Sequence, residues 1–261
     1  TGTITIVNPV NSTSDFSYSI SVSPYNVIGE DYQADISTIS AYSKIAEWIT
    51  ISEPTGTVAP NEAREVEFTI SVPEDAPAGG QYAAIMVSSD PSKQESEGVS
   101  INNVFALASI IYADISGEVT HDGSILENNV PEFSTTTPIS VGALLDNHGN
   151  THETAIVTLN VSNAVTGEKI FPTDEDQNNR FSEIVMPETT RYINRNIDNL
   201  PVLGIVKVEQ TVYYNNEVST VVKDVILCPI WFFCLVLLVI ASIIGFITFS
   251  VRRHRRKKSK I

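Results

Sequence analysis

The chain has 261 residues, enough for one large domain or two of about 100–130 residues. It carries 16 Lys and Arg against 31 Asp and Glu, but seven of the basic residues lie in the last ten positions. Residues 1–224 therefore hold all 31 acidic and only 9 basic residues, and no cysteine. This excludes nucleic-acid binding through clustered basic side chains, and it excludes disulfides, Cys-based zinc sites and a cysteine nucleophile from those residues.

Short segments of alternating apolar and polar residues fill the first 224 positions. Phe16–Val22 and Val66–Val72 alternate in this way, as does Val157–Val161 later in the chain. Turn-forming residues separate such segments roughly every 8–15 residues, a spacing typical of β-sandwiches. A short helical turn is expected around Tyr42–Ala46. The sequence predicts an all-β fold of two tandem immunoglobulin-like β-sandwich domains followed by a single transmembrane α-helix.

A change in turn chemistry marks the expected boundary between the two sandwiches. Val104–Tyr112 resembles a closing strand, and Gly117–Gly123 begins a new unit. A polar segment, Asp90–Gly98, is expected to form an exposed hairpin loop. The predicted divisions are a first sandwich in 1–114, a second in 115–224, a transmembrane helix in 225–251 and a basic tail in 252–261.

One loop of the second sandwich concentrates histidines and carboxylates. It lies between the predicted strands Ile139–Leu145 and Ala155–Val161, and its Asn and Gly residues suit a structural turn. Imidazole and carboxylate groups also suit zinc or similar ions. We therefore predict no metal site, and we retain four weak metal candidates: Asp146, His148, His152 and Glu153.

A second polar loop, Asp174–Asn179, offers oxygen ligands for calcium. It lacks the Gly and the distal Glu of an EF-hand loop, so a solvated acidic loop is the expected structure. No nucleophile elbow, zincin motif, phosphate-binding loop or dinucleotide fingerprint occurs in the chain. The sequence therefore predicts a protein that is not an enzyme and that uses no cofactor.

The run Ile230–Phe249 contains twenty residues without a charge. A helix of that length spans the hydrocarbon core of a bilayer, about 30 Å, and Trp231 would lie near its outer interface. The predicted membrane anchor consists of Trp231, Arg252, Arg253, Arg255, Arg256, Lys257 and Lys258. Through the positive-inside bias, this predicts a single-pass plasma-membrane protein with extracellular N-terminal domains and a cytoplasmic C-terminal tail.

Several segments together resemble the WxL-interacting proteins of Gram-positive cell surfaces, or similar bacterial envelope proteins. The segments are Glu47–Ile49, Gly56–Asn61, Val66–Pro73, Ala76–Tyr82, Asp146–His152 and Leu203–Val208. The order of two sandwiches, one helix and a basic tail also fits that family. The resemblance implies a peptidoglycan-binding first domain and a second domain that binds a surface or host protein. It carries over no individual ligand-binding residue, so these stay unknown.

The resulting expectation is a membrane-anchored, non-catalytic cell-surface scaffold or adhesion module. Its expected partners are peptidoglycan, a surface protein, or both, together with the membrane that its single span would cross. The alternative is an accessory subunit of a membrane-protein complex, or a presenter of exported proteins. A third hypothesis is a surface hydrolase, which would require His148 or His152 to take part in hydrolysis.

Overall fold

The computed structural model describes residues 1–89, 106–172 and 179–258, with side chains up to residue 249. It is mostly β-structure with one C-terminal helix, as predicted. The chain divides into two compact units. Unit 1 comprises Thr1–Ser124, Leu145–Thr154 and Ile184–Arg191, and unit 2 comprises Ile125–Leu144, Ala155–Glu183 and Tyr192–Ile261. The boundary between residues 114 and 115 stays a prediction, as does the hairpin at residues 90–98, which lies outside the described residues.

The elements of the described residues follow one another in this order along the chain. They are β1 Gly2–Val7, β2 Phe16–Pro24, β3 Asn26–Ile28, β4 Gln33–Asp35, a 3-10 helix Lys44–Glu47, β5 Ile49–Ile51, β6 Thr55–Val58, β7 Ala63–Ile70, β8 Gly79–Ser89, β9 Ala106–Ile115, β10 Gly123–Asn129, β11 Phe133–Ser134, β12 Ile139–Asn147, β13 Glu153–Asn163, β14 Lys169–Phe171, β15 Arg180–Val185, β16 Thr189–Ile197, β17 Gly204–Tyr214, β18 Glu217–Leu227 and α1 Ile230–Lys258.

Unit 1 is built from two main sheets around one core. Their strand orders are β1-β7-β5 and β6-β2-β8-β9, and β3 and β4 form a separate hairpin. Period-two alternation points one face of each strand inward, so Val66 of β7 and Tyr18 of β2 are buried. Tyr18 lies against Gly56, where an added Cβ would approach its hydroxyl to 2.4 Å. The expected helical turn is the 3-10 helix, and its Ile45 is fully buried.

Unit 2 has a separate core between two sheets. The strand orders are β10-β12-β16 and β11-β18-β17-β13-β14, with β15 also paired to β13. Val206, Val208 and Val225 are buried at the centre of this core. Gln210 is the polar residue placed among them, and its amide donates to Asn128 Oδ1 at 2.8 Å and to the Gly142 carbonyl at 3.0 Å. The buried amide therefore has partners that offset its desolvation.

The apolar run Ile230–Phe249 forms the first part of α1, and none of it is buried. By length and composition it could cross a membrane. Trp231 is 55% exposed at the start of the helix. The basic residues 252–258 continue the helical backbone. Length and composition alone are weak evidence of a span, because core helices and signal sequences pass the same test.

The loop that follows β12 depends on one buried amide. Asn147 is fully buried, and its Nδ2 donates to the carbonyls of Thr151 at 2.9 Å and Val185 at 3.0 Å. Its Oδ1 accepts the backbone N–H of Gly149 at 2.8 Å. One side chain thus closes the turn at residues 147–151 and ties it to the end of β15.

We expect Asn147→Ala to lower the free energy of unfolding by about 2 to 4 kcal/mol, because it leaves buried carbonyls and an amide without partners. Urea unfolding followed by far-ultraviolet circular dichroism measures the change. Asn11→Ala, in an exposed turn of the same unit, serves as the control and should change stability by less than about 0.5 kcal/mol. Equal stability of the two variants would show that the buried amide does not hold the loop.

Candidate functional site

The four weak metal candidates do not converge on one point, because His148 pairs with Asp146 whereas His152 and Glu153 each contact a different residue. His148 Nε2 lies 2.7 Å from Asp146 Oδ2, and His121 Nδ1 lies 2.5 Å from Glu153 Oε1. His152 instead contacts Tyr82. Within the described ranges, no group of three or more His, Cys, Asp and Glu side chains could hold a metal ion. The acidic loop at residues 174–179 lies outside the described residues except for Asn179, so its calcium alternative stays untested.

The histidine loop packs on the start of β8. The Gly80 N–H donates to the Asn150 carbonyl at 2.8 Å, and the Tyr82 hydroxyl accepts the His152 N–H at 2.8 Å. Gly79 has φ +106°, and a Cβ there would lie 2.3 Å from the Asn150 carbonyl oxygen. The close approach of the two backbones therefore requires glycine. Two segments that carried the family resemblance, Ala76–Tyr82 and Asp146–His152, are thus packing partners within unit 1.

Tyr82 is the centre of an aromatic cluster. Its ring lies 5.5 Å from that of Tyr112 and 5.7 Å from the His152 imidazole, both edge to face. Burial raises the pKa of the Tyr82 hydroxyl well above its ordinary value of 10.0. The neutral hydroxyl is the form that the fold favours, which suits its structural hydrogen bond with His152.

Unit 1 is open along one side, between two edge strands. Within the described residues, β1 pairs with β7 alone and β9 with β8 alone. Each strand therefore presents a row of backbone N–H and C=O groups without strand partners on its outer side. β1 contains no charged residue and no proline, and the ten residues of β9 include one charge, Asp114. These edges lack the lysines, prolines and short lengths that protect most natural sheet edges.

An apolar groove of about 330 Å³ lies between these two edges. Its lining residues are Ile4, Thr5, Ile6, Val7, Phe16, Ile85, Val87, Leu107, Ala108 and Ser109. None of them is charged. Without an acid, a base or an ionisable nucleophile, this groove offers surface for binding and no means for proton transfer.

The groove is an unfilled end of the unit 1 core. Side chains two residues apart on β9 share a face, so Leu107, Ile111 and Ala113 point the same way. Ile111 and Ala113 pack against the core. Leu107 is 80% exposed, although it continues their row. The core is therefore short of one layer of side chains at this end.

The groove and its two edge strands are not apparent from the sequence alone. The signal was available, because β9 is a long segment rich in apolar residues with one charge, and unprotected strands of that kind are exposed to pairing. The alternation showed which strands exist but not which of them lie at a sheet edge.

No protein-family model matches the chain, and no curated protein matches it. Solved structures do match. They include the SafA pilin in complex with the SafB chaperone from Salmonella enterica, at 12% identity and a TM-score of 0.42, covering 84% of this chain and 88% of that one. A second is the CsuC–CsuE chaperone–tip adhesion subunit pre-assembly complex of Acinetobacter baumannii, at 13% identity and a TM-score of 0.38, covering 87% and 100%. A third is the class 5 fimbriae chaperone CfaA, at 10% identity and a TM-score of 0.39, covering 82% and 88%.

These findings correct the family resemblance. Identification with the WxL-interacting proteins is wrong, since no such family model matches and the structures reported above are fimbrial and pilus chaperones. The physical reason lies in the packing of Gly79–Tyr82 on the loop after β12. Close backbone contact requires glycine at position 79, and the Tyr82 hydroxyl bonds the same loop, so these residues serve packing within unit 1.

The functional predictions that rested on the resemblance are wrong with it. A cell-wall scaffold or adhesion module, peptidoglycan and a surface protein as partners, and a membrane-anchored, single-pass plasma-membrane location are all contradicted. The accessory-subunit or presenter alternative does not fit either. That the chain is not an enzyme stays a prediction from the sequence. One apolar helix followed by basic residues is weak evidence for a membrane location.

We expect Tyr82→Phe to lower the free energy of unfolding by about 1 to 3 kcal/mol, because the partly buried His152 N–H loses its acceptor.

From neutral pH to about pH 10 the tyrosines should leave the stability of the parent chain unchanged. Above pH 10 its stability should fall, because the unfolded tyrosine ionises there while the folded one retains its proton. The variant should show a shallower alkaline decline, with the remainder due to Tyr32, Tyr42 and Tyr112, whose pKa values burial also raises.

Tyr213→Phe is the matched control for this experiment, because Tyr213 is 45% exposed. It should leave both the stability and the alkaline decline unchanged. Urea unfolding at a series of pH values provides the measurement. A decline of the same steepness in Tyr82→Phe and in the parent would contradict the assigned role of the hydroxyl.

Proposed function

We propose that this protein is a non-catalytic binding module and that unit 1 captures an extended polypeptide segment by strand addition. The segment would pair with the open edge of β9 and lie over the groove between β9 and β1. The observation that carries the proposal is the apolar groove of about 330 Å³ between two unprotected edge strands. An extended segment satisfies both requirements of such a site. Its backbone pairs with an open edge, and its alternate side chains enter the groove.

The backbone of β9 supports this mode of binding. β9 pairs with β8 in continuous antiparallel register from Gly79↔Ile115 to Ser88↔Ala106, so its outer edge is straight and regular over the same length. An added strand would extend the sheet β6-β2-β8-β9 without any rearrangement. Main-chain hydrogen bonds supply affinity in this mode, and the side-chain pockets supply specificity.

The side chains of the groove define the partner's chemistry. The side chains that enter should be apolar, because Leu107, Ile85 and Val87 line the groove and Leu107 is 80% exposed. Burying that leucine and its counterpart stabilises the complex by about 25 cal/mol per Å² of apolar surface removed from water. The partner segment should therefore carry apolar residues at alternate positions.

Charge around the groove favours basic flanks on the partner. Residues 1–117 contain 15 acidic and 3 basic residues. Glu65 and Glu67 lie opposite Thr5 and Thr3 of β1 in the pairing with β7. A negative field of this kind speeds the approach of a basic partner and loses its effect at high salt.

The proposal also includes the fold of the two units and the role of the helix α1. The arrangement of unit 1 and unit 2, each with two main sheets around its own core, supports a pair of tandem immunoglobulin-like sandwiches. The helix α1 is a candidate span by length and composition. Neither statement is needed for strand addition, which depends on unit 1.

The test uses the full chain in a nonionic detergent and a short synthetic peptide with valine at alternate positions, threonine between them and lysines at both ends. Calorimetric titration should show binding that weakens with salt. Leu107→Lys should weaken it by about tenfold or more, because the lysine blocks the groove and repels the peptide's charges. Leu126→Lys, at a leucine 52% exposed on β10 of unit 2, is the matched control and should bind as the parent does.

Backbone methylation separates strand addition from simple apolar contact. Methylating the amides on one edge of the peptide should abolish binding, and methylating those on the other edge should leave it intact, because only one edge pairs with the sheet. Equal binding of both methylated peptides, or equal binding by Leu107→Lys and the parent, would overturn the proposed function.

A further inference from the structure

A second cavity of unit 1, of about 260 Å³, has a different chemistry from the groove. Its lining residues are Tyr25, Asn26, Val27, Ile28, Asp35, Thr38, Ser40, Tyr42, Tyr82, Met186, Pro187, Glu188 and Thr189. Three of them are tyrosines and two are carboxylates, and no lysine, arginine or histidine is among them. This tyrosine pocket belongs to unit 1 throughout, since residues 184–191 are part of that unit.

The Asp35 carboxylate is held in place by its own turn. Asp35 Oδ1 accepts the N–H of Ser37 at 2.9 Å and its hydroxyl at 2.7 Å. These hydrogen bonds to Ser37 lower the pKa of Asp35 to about 2, so the carboxylate is ionised at neutral pH. Neither Asp35 nor Glu188 forms an ion pair with any residue in the described part of the chain. Their charges are therefore available to a ligand.

Glu188 occupies a strained backbone position at the rim of the tyrosine pocket. Its φ is +54°, a left-handed value that a non-glycine residue adopts only when its surroundings impose it. The Tyr32 hydroxyl imposes it here, because it accepts the Met186 N–H at 2.9 Å and lies 2.6 Å from Thr189 Oγ1. The Arg191 guanidinium covers the Tyr32 ring at 4.5 Å. The turn that carries Glu188 is thus fixed from both ends.

Hydrogen bonds also fix the backbones of Tyr42 and Tyr82. The Tyr42 N–H donates a hydrogen bond to Ser40 Oγ at 3.1 Å, and the Tyr42 carbonyl accepts the Tyr82 N–H at 2.8 Å. Burial raises the pKa of Tyr42, and the nearby charge of Glu188 raises it further. This places the Glu188 carboxylate within electrostatic reach of the Tyr42 hydroxyl, so an aromatic wall and an unpaired negative charge occupy the same pocket.

We propose that the tyrosine pocket binds an organic cation, an alkylammonium or guanidinium head group, between the rings of Tyr25 and Tyr42, which are partly exposed in its lining, and the carboxylates of Asp35 and Glu188. Aromatic rings attract such cations through their negative faces, and quaternary ammonium groups are recognised by aromatic cages of this composition. The two carboxylates add direct attraction, and no basic residue in the lining opposes it. The inference is independent of the strand-addition proposal, because the groove and the pocket share no lining residue.

The cation can come from a free small molecule or from a basic side chain of a polypeptide. Two probes distinguish these sources: choline, and Nα-acetyl-lysinamide. The full chain in a nonionic detergent is titrated with each probe by calorimetry. The neutral isostere of choline, 3,3-dimethylbutanol, is titrated in parallel. Binding of either cation with at least about tenfold preference over the isostere supports the proposal, and the tighter probe identifies the source.

Variants locate the site. Glu188→Gln and Tyr42→Ala should each weaken binding of the cationic probe by about threefold to thirtyfold. Glu74→Gln removes an exposed carboxylate from the same unit outside the pocket and should bind as the parent does. Circular dichroism confirms that each variant is folded, and Glu188→Gln keeps the proposal testable if Tyr42→Ala unfolds.

Three results would overturn the proposal. One is binding of dimethylbutanol as tightly as choline, which would indicate an apolar pocket only. Another is binding of N-acetylglucosamine in place of either cation, which would indicate a sugar site. The third is the absence of any binding that Glu188→Gln weakens. Failure of the peptide to bind at the groove would leave the result at this pocket unaffected.

Discussion

The hydrogen bond from the His152 amide to the buried Tyr82 hydroxyl is the contact on which unit 1 depends. It fixes the loop after β12 against the first residues of β8, where Gly79 and Gly80 let two backbones meet without side chains between them. A buried hydroxyl that both accepts and fills space cannot move without leaving an amide unpaired in an apolar interior. That contact joins the loop to β8, whose own position is set by its pairing with β2 and β9.

The two proposed binding surfaces are found along this same strand. Tyr82, near its start, lines the tyrosine pocket, whereas Ile85 and Val87, nearer its end, line the groove. At the first position Tyr82 is surrounded by Tyr112 and His152, and at the second the core lacks one layer of side chains. A strand held rigidly by its buried first half can leave its second half uncovered, because the fold does not rely on that end for stability.

The sequence was informative where the signal was local. Alternation in Phe16–Val22 and Val157–Val161 identified β2 and β13, and the turn residues of 146–153 identified the loop between β12 and β13. It was misleading where local patterns were given a functional meaning. The glycines that suggested a cell-wall protein family serve a backbone contact, and the two histidines that suggested a metal ligand set, His148 and His152, contact Asp146 and Tyr82 separately.

By itself the sequence determined many of the strands, their inward faces, the apolar helix, and the absence of cysteine from the first 224 residues, because composition and periodicity are properties of neighbours in the chain. Only the tertiary structure decided which strands are edges, that Leu107 lies beyond the filled core, and that Asp35 and Glu188 border one pocket. Those facts depend on residues more than a hundred positions apart meeting in space. Periodicity along a chain specifies which side of a strand is buried, but not which other strand covers it.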